Sequence, residues 1–366
     1  MSEKQTDNKQ PNRKQTIKQV VGTVRKSHGK GSIMTLDENG FDDVRSFPTG
    51  SIALDEALGI GGHPIGRVVE VFGPESSGKT TLTLHAIAQR QALGGLCAFI
   101  DAEHAFDLGY ARTIGIDPEN LLVSQPDYGE QALSITECLC KTEQVDLIVV
   151  DSVAALVPKS EVEGEMGDPQ MGSQARLMSQ ALRKLTGLAH RTDTTIMFIN
   201  QLRQKIGVVF GNPETTTGGS ALRFYSSIRL DVRRIGKVMA GEKIVGNRTR
   251  VRAVKNKCAA PFGEAEFDIR WGEGIDAAVD LLEVAVTKGV LQKSGAHLML
   301  DGKSIGQGKE KAREALLESK ELRTTLQLAT FEKLPPRVRG LSGAAKLDAT
   351  PAAAKAEAGP PSKRAA

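Results

Sequence analysis

The sequence predicts an α/β fold with a mostly parallel sheet, preceded by a helix–strand element and followed by a small α+β domain. Three observations carry this prediction. Between residues 46 and 271, apolar runs with strand character alternate with segments of helical periodicity. The strands are expected at 68–72, 96–100, 121–124, 146–150 and 195–199, and the helices at 80–93, 107–114, 129–141 and 173–190. Such alternation is the mark of βαβ units, a sheet covered on both faces. The first strand also runs straight into a glycine turn and then a helix. Beyond Trp271 the pattern changes to a helix at 276–287, a strand at 297–300, a turn at Asp301-Gly302, and helices at 310–318 and 321–334.

The glycine turn reads Gly73-Pro74-Glu75-Ser76-Ser77-Gly78-Lys79-Thr80, followed by Thr81. This is G-x-x-x-x-G-K-[ST], the phosphate-cradling P-loop. Glycines let successive backbone N–H groups converge on an anion, because a Cβ would clash or forbid the dihedrals. Lys79 places a positive charge on the β- and γ-phosphates, and the Thr80 hydroxyl is a hard oxygen ligand suited to Mg²⁺. Strand, turn and helix in that order are the context the motif needs.

Strand ends carry the rest of such a site, because ligands bind at the carboxyl edge of parallel strands. Asp101-Ala102-Glu103-His104 follows the second strand. Glu103 is the leading candidate to position and deprotonate an attacking water, with Asp101 and His104 as alternatives. The apolar run Leu147-Ile148-Val149-Val150 ends in Asp151, a candidate metal partner for Thr80. After the fifth strand comes Asn200-Gln201. An amide at that position can bond a γ-phosphate and lose it on hydrolysis, which makes Gln201 a candidate switch. Segments 223–233, 249–255 and 264–270 alternate without helices between them and read as antiparallel additions at one sheet edge.

Two irregular stretches, 161–172 and 207–219, are rich in glycine, the second also in threonine. Loops of that length in a compact domain are usually functional or disordered. With Arg176, Arg183, Arg203 and Lys205 beside them, they can hold a sugar-phosphate backbone without reading bases, or simply be mobile loops.

The chain has 366 residues, 40% hydrophobic and 25% charged, the composition of a soluble globular protein with a substantial core. No run approaches the ~18 apolar residues of a membrane span, and the polar N-terminus lacks a secretory centre, so a cytoplasmic location is expected. Cysteines 97, 138, 140 and 258 show neither C-x-x-C nor metal spacing and read as reduced thiols. The net charge of +4 sits in residues 335–366, a Pro/Ala/Lys-rich tail expected to be disordered, so residues 1–334 are neutral overall. A globally basic nucleic-acid binder is therefore excluded; affinity would have to come from local loops or a repeated assembly. Aromatic content of 4% disfavours base-stacking platforms. Near the N-terminus, Ile17, Val20, Val21 and Val24 mark a basic amphipathic helix, and 30–36 a lone strand. Having no core of their own, they must pack on this molecule or on a neighbouring subunit.

Taken together, GPESSGKTT (73–81), FIDAEHAFD (99–107), DLIVVDSVAALVPK (146–159), EGEMGDPQMG (163–172), FINQLRQKIGVVFGNPETTTGG (198–219) and VKNKCAAPF (254–262) closely resemble the bacterial RecA recombinase family, over about residues 15–320. The resemblance implies a RecA-like P-loop NTPase core at 46–274, a subunit-docking element at 1–45, and a small C-terminal domain at 275–334. It implies an ATP- and Mg²⁺-dependent recombinase that forms a helical homo-oligomeric filament on single-stranded DNA. The filament pairs that strand with homologous double-stranded DNA, exchanges strands, and promotes self-cleavage of a LexA-type SOS repressor. By position, Gly73 to Thr81 bind the triphosphate, Asp107 and Tyr110 lie against the adenine, and Thr80 and Asp151 hold the metal. Glu103 activates water and Gln201 senses the γ-phosphate. Lys255 and Lys257 reach a neighbour's γ-phosphate, and Phe224 is an interface residue. The DNA loops take in Glu163, Gly164, Glu165, Met166, Gly167, Met171, Gly172, Ser173 and Arg176. They continue with Arg203, Lys205, Ile206, Gly207, Val208, Asn212, Pro213, Glu214, Thr215, Thr216, Gly218 and Gly219. Two features depart from the family: its tail is often acidic and this one is basic, and Gly295-Ala296-His297-Leu298 lacks the aromatics often found there.

Other readings remain at this stage. A RecA-like hexameric helicase or another DNA-dependent motor would share the core but unwind duplexes. A small-molecule kinase would need a lid and an acceptor pocket, and its activity would ignore DNA. A nucleotide-gated scaffold would not need Lys79, Thr80, Glu103 and Asp151 together.

Overall fold

The computed structural model describes residues 13–29, 32–33, 44–165, 172–204, 211 and 213–342. It divides into two compact units, 1–45 and 46–366. In the first, α1 (Arg13–His28) carries Arg25, Lys26 and His28 in its last turn, where cations suit the helix dipole. Ile17 and Val20 are about half exposed on it. Ser32 and Ile33 form a bend, and the rest of the strand expected at 30–36 lies outside the described residues.

The second unit opens with β1 (Ser46–Phe47), α2 (Ile52–Ala57) and β2 (His63–Pro64). There follow β3 (Val68–Gly73), α3 (Lys79–Ala92), β4 (Cys97–Asp101), α4 (Leu108–Ile114), β5 (Leu121–Ser124), α5 (Gly129–Lys141) and β6 (Leu147–Asp151). After α6 (Lys159–Val162) come α7 (Ser173–Thr192), β7 (Thr195–Gln204), β8 (Glu214–Thr216) and α8 (Ala221–Tyr225). The sheet then gains β9 (Ile228–Ala240), β10 (Lys243–Asn256), β11 (Glu264–Arg270) and β12 (Gly274–Ile275). Its order is β12-β11-β10-β9-β3-β7-β6-β4-β5, with β8 paired to β7. From β9 through β5 the pairs are parallel, and from β9 to β12 antiparallel.

Every residue of β3, β4 and β6 is buried, as expected of parallel strands covered on both faces. On one face Ile148, Val150 and Phe198 pack against Leu133 of α5 and Leu182 and Leu185 of α7. Each such side chain contributes about 1.5–3 kcal/mol by leaving water. This packing fixes the strand ends from which the site is built.

The sequence reading differs from the fold in three places. Residues 223–233 are not one strand. Ala221 and Leu222 bury themselves against the α5–α7 core and wind α8, so the strand starts at Ile228 and runs on to Ala240, returning through a turn at Gly241. The stretch 207–219 is not wholly irregular, because β8 returns antiparallel along β7 with Leu202, Arg203 and Gln204 facing Thr216, Thr215 and Glu214. Nor is the tail unstructured from its first residue: α12 (Pro336–Ser342) forms because Val338, fully buried, packs with Val284, Phe331 and Leu334.

Beyond β12 lie α9 (Ala277–Thr287), the hairpins of β13 (Gln292–Ser294), β14 (His297–Leu300) and β15 (Lys303–Gln307), then α10 (Gly308–Glu318) and α11 (Lys320–Glu332). They enclose a core of Leu281, Leu282, Leu298, Leu316 and Leu326. Ion pairs tie this part to the sheet: Arg270 to Asp276 and Glu310, and Arg248 and Lys309 to Asp268 and Glu283. No helix of the described residues is long and apolar enough to cross a membrane.

Candidate functional site

The phosphate loop runs from the end of β3 to the first turn of α3. At Gly73 a Cβ would stand 2.1 Å from the Val232 carbonyl oxygen, so no other residue fits there. Gly78 has φ +98, a conformation that side chains resist. The loop lines a cavity of about 700 Å³ together with Asp107 and Tyr110 of α4. Asn247, Thr249 and Trp271, from the antiparallel edge of the sheet, line it too. Asp107 caps α4 by accepting the Tyr110 N–H at 3.0 Å, and the Tyr110 hydroxyl meets Thr81 Oγ1 at 3.0 Å. Two hydroxyls in the cavity wall, Ser77 Oγ and Thr249 Oγ1, are buried without a protein partner. Buried polar atoms without a partner are unusual, and here both belong to residues of the cavity wall.

Lys79 is nearly buried and folds back to donate to the Pro74 carbonyl at 2.7 Å. Burial lowers its pKa, while Asp151, Glu103 and Glu75 oppose that shift. Across the loop, Thr80 Oγ1 donates to Asp151 Oδ2 at 2.9 Å. Burial raises Asp151 to about 6; the Thr80 bond lowers it, and the Glu103 and Asp101 charges raise it. Glu103 Oε1 accepts from Ser152 Oγ at 2.5 Å and from Gln201 Nε2 at 2.9 Å. Register explains why these groups meet: Asp101 lies level with Asp151, and Gly73 with Gln201.

The three acids and bases weighed at the end of β4 are now separable. Asp101 is almost fully buried and accepts from the N–H groups of Ala105 and Phe106 and from Gln125 Nε2, all at 3.0–3.1 Å, so it shapes the loop. His104 is exposed with φ 55. Glu103 alone is bonded both to the residue after Asp151 and to Gln201.

Other predicted residues lie elsewhere. Lys255 Nζ donates to the Arg223 and Phe224 carbonyls at 2.6 and 3.0 Å, and Lys257 Nζ to Phe224 at 3.5 Å. Both lysines thus sit on the carbonyl end of α8, whose Phe224 ring is 68% exposed, and neither lines the cavity. Burial, then Lys257 and Arg229, lower Lys255 to about 8. Glu163, Gly164 and Glu165 are exposed after α6, and Gly172, Ser173 and Arg176 open α7. Arg176 and Arg183 share one face of that helix around a shallow hollow. Arg203 is exposed on β7; Glu214, Thr215 and Thr216 form β8, between Pro213 and the Gly218-Gly219 turn. Met166, Gly167, Met171, Lys205, Ile206, Gly207, Val208 and Asn212 lie outside the described residues.

Sequence reading missed Ser152 as a partner of Glu103, and Asn247, Thr249 and Trp271 as cavity walls. Trp271-Gly272 at the end of a strand was a signal for the last of these. The other two had none, because only tertiary pairing brings β10 to the loop.

A phosphate loop closing a parallel sheet, with a carboxylate pair and an amide at adjacent strand ends, defines a P-loop ATPase. Residues 15–276 match the RecA N-terminal domain and residues 279–334 the RecA C-terminal domain. Curated RecA of Salinispora tropica is 57% identical over 324 residues, covering 88% of this chain and 93% of that protein. RecA of Acidothermus cellulolyticus is 56% identical over 328 residues, 89% and 95% of the two chains. RecA 2 of Myxococcus xanthus is 55% identical over 323 residues, 88% and 90%. The chain belongs to the RecA family. It is a recombinase and single-stranded-DNA-dependent ATPase of DNA repair and the SOS response, and it binds ATP and DNA and forms filaments.

Proposed function

We propose that the chain, in the cytoplasm, polymerises on single-stranded DNA with ATP and Mg²⁺, pairs homologous duplex, exchanges strands, and promotes self-cleavage of a LexA-type repressor. The observation that carries the mechanism is the position of Glu103, held by Ser152 and Gln201 at the strand ends beside the phosphate loop. On this reading Glu103 orients and deprotonates the attacking water, Lys79 neutralises the β- and γ-phosphates, and Gln201 exchanges Glu103 for a γ-phosphate oxygen. Thr80 and Asp151 present a hydroxyl and a carboxylate oxygen 2.9 Å apart, a hard donor set that suits Mg²⁺. When bound, that ion offsets charge on the phosphates. On this reading Asp107, Tyr110 and Trp271, which line the cavity, take the base.

Lys255 and Lys257 act on the next subunit's γ-phosphate, so the site is completed by assembly, through an interface that includes Phe224. The segments 163–171 and 202–216 hold the DNA backbone, and residues 1–45 dock on the neighbour. A neutral body can bind a polyanion in this way because many modest sites act in register.

The test is Glu103→Gln. The variant should bind ATP and single-stranded DNA as the parent does while hydrolysing ATP about 10²–10⁴-fold more slowly. Loss of ATP binding in a folded variant, or an undiminished rate, would remove Glu103 from this role.

A further inference from the structure

Asn200 precedes Gln201 on β7 and is fully buried. Its Nδ2 donates to Glu70 Oε1 at 2.9 Å and to the Thr217 carbonyl at 3.2 Å. Its Oδ1 accepts from the Gln201 N–H at 2.9 Å and from Thr217 Oγ1 at 2.5 Å. Both donors and both lone pairs are therefore used. The amide can point only one way, since reversing it would set Oδ1 against the Glu70 carboxylate. Glu70 is itself fully buried, and its charge is met by Arg229, whose guanidinium lies 4.5 Å from the Phe72 ring centroid. This anchor sits on β3 and β9, strands that do not bear the segment between β7 and β8.

Topology gives the cluster its meaning. β7 leaves the sheet through Gln201 and β8 returns with Thr216 facing Leu202, which puts Thr217 level with Gln201. Where the backbone ladder stops, the Asn200 side chain continues it. One amide thus grips the outgoing strand at the Gln201 N–H and the returning strand at both the carbonyl and the hydroxyl of Thr217. A displacement of Gln201 must be transmitted to Thr217 or break these bonds.

We infer that Asn200 and Thr217 are positioning residues that join Gln201 to the returning arm of the second loop, so that coupling between nucleotide and DNA passes through the Asn200 amide. The inference rests on the proposed role of Gln201 as nucleotide sensor. Neither residue lines the cavity, and each acts through its neighbour.

Thr217→Val removes only the hydroxyl and leaves the shape. Its KM for ATP and its hydrolysis without DNA should stay within about twofold of the parent. The gain in single-stranded-DNA affinity on adding a non-hydrolysable ATP analogue should shrink about five- to tenfold, the scale of one hydrogen bond. Thr217→Ser should restore it. A Thr217→Val protein that keeps the full ATP-dependent gain overturns the inference. Hydrogen exchange on the parent supplies a check that needs no folded Val variant. The analogue should slow exchange in residues 214–220 of the parent and not of Gln201→Ala; no slowing in the parent also overturns the inference. A Gln201→Ala protein that retains the ATP-dependent gain would instead refute the sensor reading itself.

Discussion

Tyr110 and Trp271 reach the nucleotide cavity from elements far apart in the chain, and Trp271 is still 59% exposed there. An exposed indole on a cavity wall is poised to be covered by a base, and such stacking contributes about 1–3 kcal/mol. Trp271→Ala should therefore raise the KM for ATP about tenfold while leaving the DNA-saturated rate within a few-fold; an unchanged KM would take Trp271 out of the site. His85 carries a different prediction. Its Nε2 accepts the Ile275 N–H at 2.8 Å, which requires an unprotonated nitrogen, and burial lowers its pKa to about 4. The folded state then binds fewer protons than the unfolded state between about pH 4 and the ordinary value of 6.5. Stability from this group is complete above 6.5 and is lost as pH falls toward 4. Buried Asp55 and Asp280, raised to about 8 and about 7, act oppositely and erode stability as pH rises from about 4. Comparing the parent with His85→Gln, whose amide oxygen can still accept from Ile275, isolates the histidine. Denaturant titrations should show a shallower loss from pH 6.5 to 4 in the variant, and parallel curves would contradict the assignment.

Among the elements, those built from local patterns were legible in sequence and those built from remote pairing were not. The strand–loop–helix unit of β3 and α3 was readable because its apolar periodicity, glycines and Lys79 lie within a short span. Asp101, Asp151 and Gln201 were findable because parallel strands end on one edge. The walls contributed by Asn247 and Thr249 were hidden, since nothing in their neighbourhood says that β10 folds back to the loop. α8 overlaps the strand expected at 223–233 because Phe224 and Tyr225 suit either structure, and burial of Ala221 and Leu222 against α5 and α7 decides it. α12 was lost in the low-complexity composition around it, yet Val338 is fully buried. Val338→Ala removes two methyl groups from that contact and should destabilise the C-terminal domain by about 2 kcal/mol. Calorimetry tests this; an unshifted transition would mean that α12 does not belong to the folded domain.

At the scale of the whole molecule, residues 1–334 are neutral and the net charge of +4 is carried by residues 335–366. Single protomers should therefore bind DNA weakly, and strong binding should appear only with assembly. Within one protomer the nucleotide cavity is lined by the phosphate loop, α4 and the antiparallel edge, while Lys255 and Lys257 are engaged with the end of α8. The central claim is that the ATPase site is completed between subunits on DNA. It is tested most directly by measuring ATP hydrolysis with and without single-stranded DNA while imaging the same samples by electron microscopy. Hydrolysis that rises by an order of magnitude or more with DNA, together with helical filaments, and that falls to the DNA-free level in a Lys255→Ala, Lys257→Ala double variant, is the predicted result. Hydrolysis indifferent to DNA, or a double variant that keeps the full DNA-stimulated rate, would contradict it.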